Sequence, residues 1–129
     1  MKSPVDLDRL TDFFDRYGSA LTRGDVSAIA GCYALPGMVV ADTYSFTFTS
    51  PAAVALSFLG AAPAYQEQRI VAAHAQLRDV RPLSTALAMV DVEWEYLDSR
   101  GAAVPGESFS YLLRSDAEGP RITTVIATR

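Results

Sequence analysis

Four side chains carry chemistry that the rest of the sequence does not explain. Tyr17 sits inside an apolar stripe, in the run "FFDRYGSALTRGD". A phenol there must place its hydroxyl somewhere: it is either a core tyrosine with a satisfied hydrogen bond or a donor aimed at a ligand. Glu107, in "PGESF", follows a turn and shares its strand face with Phe109 and Tyr111; it is either a solvated carboxylate at a strand edge or a group in an apolar pocket. His74 is the single histidine and lies mid-strand among Ala72, Ala73 and Ala75. An imidazole is a ready acid or base near neutral pH, and its small neighbours leave room for a ligand or for a packed partner chain. Asp42 is a carboxylate at the end of a short apolar strand, where a turn residue can bond to local backbone.

Other chemistries find no support. One cysteine (Cys32) and one histidine do not make a zinc site, and Cys32 reads as a small core residue on a helix. There is no phosphate loop, no G-x-G-x-x-G and no serine-hydrolase context. No cofactor or metal is expected. The alternating acids Asp91, Glu93 and Glu95 read as a solvated stripe that Arg78 or Arg114 can meet across strands. A net charge of -4 argues against nucleic acid, and no long apolar run or polybasic block suggests a membrane. The opening "MKSPVDLDRL" lacks a signal-peptide core, so a cytoplasmic location is expected. Ten arginines against one lysine, with abundant alanine, suit a GC-rich bacterial genome.

The elements that would position these groups follow from periodicity. With 129 residues, half of them hydrophobic, a single domain over 1–129 is expected. Leu7, Leu10, Phe13, Phe14, Tyr17 and Leu21 recur at helical spacing, which predicts a helix from about Val5 to Thr22 ending at Gly24. Asp25 caps a second helix through about Tyr33. Pro36 and Gly37 then break the chain before a strand at "MVVAD". "YSFTFT" alternates, with Tyr44, Phe46 and Phe48 on one face. Ser50-Pro51 starts a third helix that stops at Gly60, anchored by Val54 and Phe58. Four strands follow as a meander, the second placing Val90, Val92, Trp94 and Tyr96 on one face. Helices followed by antiparallel strands predict an α+β domain of three helices. In it a strongly curved sheet wraps the long first helix as a cone. Phe46, Phe58, Val90, Val92, Trp94 and Phe109 are the candidate ligand-binding lining, together an apolar cavity with few polar groups.

That order of elements, with "RYGSALTRGDVSAIAGCYA", "TSPAAV", "VEWEY" and "VPGESFSYLL", resembles the nuclear transport factor 2-like superfamily, in its ketosteroid isomerase and polyketide-cyclase-like branch. The resemblance implies a cone-shaped, cystatin-like barrel, commonly a homodimer, with a pocket at the wide end. It implies Tyr17 as a phenolic donor and Glu107 at the place where the isomerases carry a neutral aspartic acid. In the isomerases that pair hydrogen-bonds a developing enolate, the acid being kept protonated by its apolar site. The resemblance also implies Asp42 near the proton-moving aspartate, one residue late, and His74 as the acid or base of related dehydratases. The expected function is binding of a small, largely apolar organic molecule, with cofactor-independent proton transfer next to a carbonyl if the protein is an enzyme. The alternative is a non-catalytic binding or homodimerisation module, since one fold hosts many activities.

Overall fold

A computed structural model describes residues 6–59 and 61–128. The first helix, α1, spans Leu7–Arg23; the expected start at Val5 lies outside the described residues. Asp6 caps it by accepting from the Arg9 N–H, and Gly24 closes it at φ 68°, a left-handed conformation that glycine adopts without a Cβ penalty. The stripe read from the sequence is the buried face at Leu10, Phe13, Phe14, Tyr17 and Leu21, joined by Gly18 and Ala20, while Leu7 in the first turn is exposed. Asp25 caps α2 (Val26–Gly31), and Ser50 caps α3 (Pro51–Ser57), with Pro51 in the first turn.

Six strands, β1 (Tyr33–Val40), β2 (Ser45–Phe48), β3 (Ile70–Pro82), β4 (Leu87–Asp98), β5 (Ala103–Asp116) and β6 (Gly119–Ala127), form one curved, unclosed sheet. Its order is β2-β1-β6-β5-β4-β3, antiparallel throughout except where β1 lies parallel to β6. The meander of the last four strands and the inward set Val90, Val92, Trp94 and Tyr96 match the sequence reading; all four are buried. α1 lies across the concave face. It lies close to the sheet at Gly18, where a Cβ would stand 2.9 Å from the Ala73 carbonyl oxygen and 3.0 Å from the Trp94 ring. A side chain there would push the helix off the sheet.

Three expectations change. The helix count is four among the described residues, because Ala61–Glu67 forms α4. The expected stop at Gly60 lies outside the described residues, but α3 ends earlier, at Ser57. Pro63 sits in the first turn of α4, where its missing N–H costs nothing, and Tyr65 packs edge-on against Tyr96 at 5.3 Å. The second helix stops at Gly31, with Cys32 half-buried at its C-cap. The chain then enters β1 at Tyr33, five residues before the expected strand. Pro36 and Gly37 have the character of breakers; they fall where the β1–β6 register shifts, a place where a strand tolerates a residue with no N–H.

Candidate functional site

Between α1, the concave sheet face and α3–α4 lies a chamber of about 270 Å³. All six tyrosines line it: Tyr17, Tyr33, Tyr44, Tyr65, Tyr96 and Tyr111. The single tryptophan, Trp94, and four of the six phenylalanines, Phe46, Phe48, Phe58 and Phe109, complete the aromatic wall. Aromatic residues are a tenth of the chain, so their collection around one hollow is a property of this site and not of the composition. Many rings meet edge to face, as their quadrupoles favour: Tyr33 on Phe48 at 73°, Phe46 on Phe48 at 86°, Tyr65 on Tyr96 at 74°.

The floor is built from buried residues with paired polar tips. Tyr17 reaches down from α1 and Tyr33 up from β1, and their hydroxyl oxygens lie 2.7 Å apart. One phenol donates to the other, so one O–H proton of the pair stays free for a third atom. Beside them the Trp94 indole N–H donates to the Tyr111 hydroxyl at 2.9 Å. Tyr111 thereby acts as acceptor and, among the described residues, its own proton has no acceptor. The floor therefore offers two phenolic protons to an occupant.

Burial keeps these phenols protonated. It is the largest cause that raises Tyr17 well above the usual value of 10.0, with the nearby Tyr33 and Tyr111 hydroxyls adding to it. Burial likewise raises Tyr33, against a lowering hydrogen bond from Tyr17. Tyr111 is raised by burial and partly brought back by the Trp94 N–H. A neutral, desolvated donor binds an oxygen more strongly than one in water.

The mouth is where Phe46 of the edge strand β2 and Tyr44, just before that strand, emerge, stacked at 8° and 41 % and 58 % exposed. Glu107 stands at the same rim, exposed, and among the described residues is the one charged side chain of the lining. A β-bulge puts it there. Glu93 pairs with Ser108 but Glu95 pairs with Pro105, so Gly106 and Glu107 together face Trp94. Such an extra residue re-aims side chains. Gly106 is required, since a Cβ on it would stand 2.5 Å from the Trp94 carbonyl oxygen. Burial raises Tyr65 and Tyr96, and the Glu107 charge is a lesser raising cause in both.

The structure thus gathers Tyr17, Glu107, Phe46, Phe58, Trp94 and Phe109 around one chamber. It does not bring the other candidates there. Asp42 is exposed in the turn between β1 and β2, which the Ala41 N–H closes onto the Tyr44 carbonyl at 2.8 Å. His74 is exposed and pairs with Glu95, while its neighbours Ala73 and Ala75 pair with Tyr96 and Trp94 and pack in the core. The period of two sends His74 to the outer face. Val90 and Val92 are fully buried in the core and do not line the chamber. Among the lining residues that escape the sequence reading are Tyr33, which it places at the end of α2, and Tyr65, on the unforeseen α4. A larger hollow of about 640 Å³ lies on the outer face, around Arg78, Asp91, Glu93 and Ser110. It is open and polar, and its groups satisfy one another: Arg78 pairs with Glu93 at 3.5 Å, and the Ser110 hydroxyl donates to Asp91 at 2.7 Å.

Residues 8–129 match the family described as NTF2-like protein (DUF6841). No curated protein matches the sequence significantly. Among solved structures, an NTF-2 like protein of unknown function from Shewanella oneidensis aligns at TM-score 0.68 and 16% identity, over 93% of this chain and 96% of that one. A domain of unknown function with a cystatin-like fold from Nostoc punctiforme aligns at 0.70 and 14%, over 99% and 79%. A ketosteroid isomerase-like protein from Erwinia carotovora aligns at 0.62 and 17%, over 95% and 94%. At such identities the likeness is one of fold.

Proposed function

The chain belongs to the NTF2-like protein family, and from that premise we propose that its aromatic chamber binds a small, largely apolar organic molecule carrying an oxygen that accepts hydrogen bonds. The observation that carries this reading is the floor: neutral buried phenols, with two protons unspent, beneath an otherwise greasy wall. A hollow that small lies just under the usual range for ligand sites and suits one or two rings. Apolar contact supplies affinity, at about 25 cal/mol per Å² of surface removed from water. The phenols select for an oxygen and fix its orientation.

A direct test uses 2-naphthol and naphthalene as probes, with Trp94 as the only indole reporter. The expected result is quenching of Trp94 by both. The preference for 2-naphthol should fall about tenfold in the Tyr17→Phe, Tyr33→Phe double variant, the worth of one hydrogen bond of about 1.4 kcal/mol. An unchanged preference removes the phenols from recognition.

Proton transfer is the second reading, and Glu107 is the observation that favours it. It is the carboxylate in the same lining as the phenols, and with Asp42 and His74 outside that lining it takes the role of base. Exchange of the α-protons of 2-tetralone into D2O, lost in Glu107→Gln, is the expected signature. Exchange equal in the two proteins leaves a binding module.

A further inference from the structure

The chamber is not symmetrical in charge. At its floor are buried hydroxyls; at its rim is one carboxylate among π-systems. Among the described residues, no lysine, arginine or histidine belongs to the lining. Tyr44 and Phe46 stand exposed at the opening, and Tyr65 packs edge-on against Tyr96 with ring centroids 5.3 Å apart. A cation set against an exposed ring face of this lining is attracted by the ring's quadrupole. Glu107 shares the chamber lining with Tyr65 and Tyr96, on the bulge that faces Trp94. The net charge of -4 adds a field that attracts cations and repels anions.

We infer that the chamber's ligand is an organic ammonium, with its oxygen on the Tyr17–Tyr33 floor and its cationic nitrogen at the rim between the aromatic walls and the Glu107 carboxylate. The inference rests on the reading of the chamber as a ligand site, and adds the charge of what it takes. The physical reason is selection. A neutral hydrocarbon gains nothing from Glu107, and a carboxylate ligand meets repulsion from it and from the ring faces. A quaternary or tertiary ammonium gains from both, and its weak hydration makes it cheap to move from water into an aromatic surround.

Three probes of one size separate the possibilities: (3-hydroxyphenyl)trimethylammonium, its neutral isostere 3-tert-butylphenol, and the anion 3-hydroxybenzoate. All carry a phenolic oxygen for the floor. Each is titrated into the protein and into Glu107→Gln, with Trp94 emission and calorimetry as readouts. The expected result is that the ammonium binds about tenfold tighter than the isostere, and 3-hydroxybenzoate weakest, the combined worth of an exposed cation–π contact of about 0.5–1 kcal/mol and of the attraction to Glu107. In Glu107→Gln the ammonium should lose about three- to tenfold, while 3-tert-butylphenol keeps its affinity. Equal or tighter binding of 3-tert-butylphenol overturns the ammonium assignment and leaves the chamber as a site for neutral molecules. A cation preference that persists undiminished in Glu107→Gln overturns the role given to Glu107. Failure of all three probes to bind removes the ligand-site reading itself, and the ammonium with it.

Discussion

Replacing Tyr17 or Tyr33 by phenylalanine tests the floor without a ligand. The two hydroxyls lie 2.7 Å apart and their residues are 3 % and 5 % exposed. Either single change deletes a hydrogen bond of about 1 kcal/mol net and orphans a hydroxyl whose desolvation costs about 1–3 kcal/mol. The orphan faces a chamber roomy enough for water, so the lower end applies, and each single variant should lose about 1–2 kcal/mol. The double variant removes both hydroxyls, keeps the ring packing and orphans nothing. It should lose no more than a single variant, giving a coupling energy of about 1–2 kcal/mol. Urea unfolding followed by Trp94 fluorescence measures all four proteins, and an unchanged slope shows that only stability moved. Additivity within about 0.5 kcal/mol would refute the pair, because independent sites add to that precision.

Other outcomes follow from the same geometry. Gly106→Ala sets a Cβ against the Trp94 carbonyl at 2.5 Å; it should cost about 2 kcal/mol or more in urea unfolding, and a neutral effect would mean the bulge does not press on Trp94. Trp94→Phe removes the N–H that Tyr111 accepts; Tyr111 should then ionise at higher pH in an ultraviolet titration of the phenolates, since that hydrogen bond is what lowers it, and a shift downward contradicts the pairing. The raised phenols also set an alkaline limit. Their folded values lie above the unfolded value of 10.0, so the stability they confer is whole below that pH. It is lost as pH rises beyond it, by about 1.4 kcal/mol per unit for each phenol that ionises only on unfolding. Unfolding midpoints that stay level from about pH 9 to about 11.5 would contradict it.

The parts legible in the sequence are those set by local pattern. The α1 stripe, the caps at Asp25 and Ser50 and the alternation of β4 each declare themselves within a dozen residues. The chamber's polar floor does not. Tyr17 finds its partner sixteen residues away, and Trp94 finds Tyr111 on the neighbouring strand, so neither bond is visible without the fold. Parity alone decides His74: in a run of alanines, nothing marks which face is inward until Ala73 and Ala75 pair with Tyr96 and Trp94. Glu107 comes to the rim through a bulge, whose Pro-Gly signal in the sequence looks no different from that of a turn. Tyr33 and Tyr65 stay hidden because the elements that carry them contain residues with the character of breakers.

A crystal structure of the protein soaked with (3-hydroxyphenyl)trimethylammonium puts the central claim to its most direct test. The expected result is the probe inside the aromatic chamber, its oxygen within hydrogen-bond distance of the Tyr17 and Tyr33 hydroxyls. A probe seated on the outer face of the sheet, or a chamber closed by its own side chains, contradicts it.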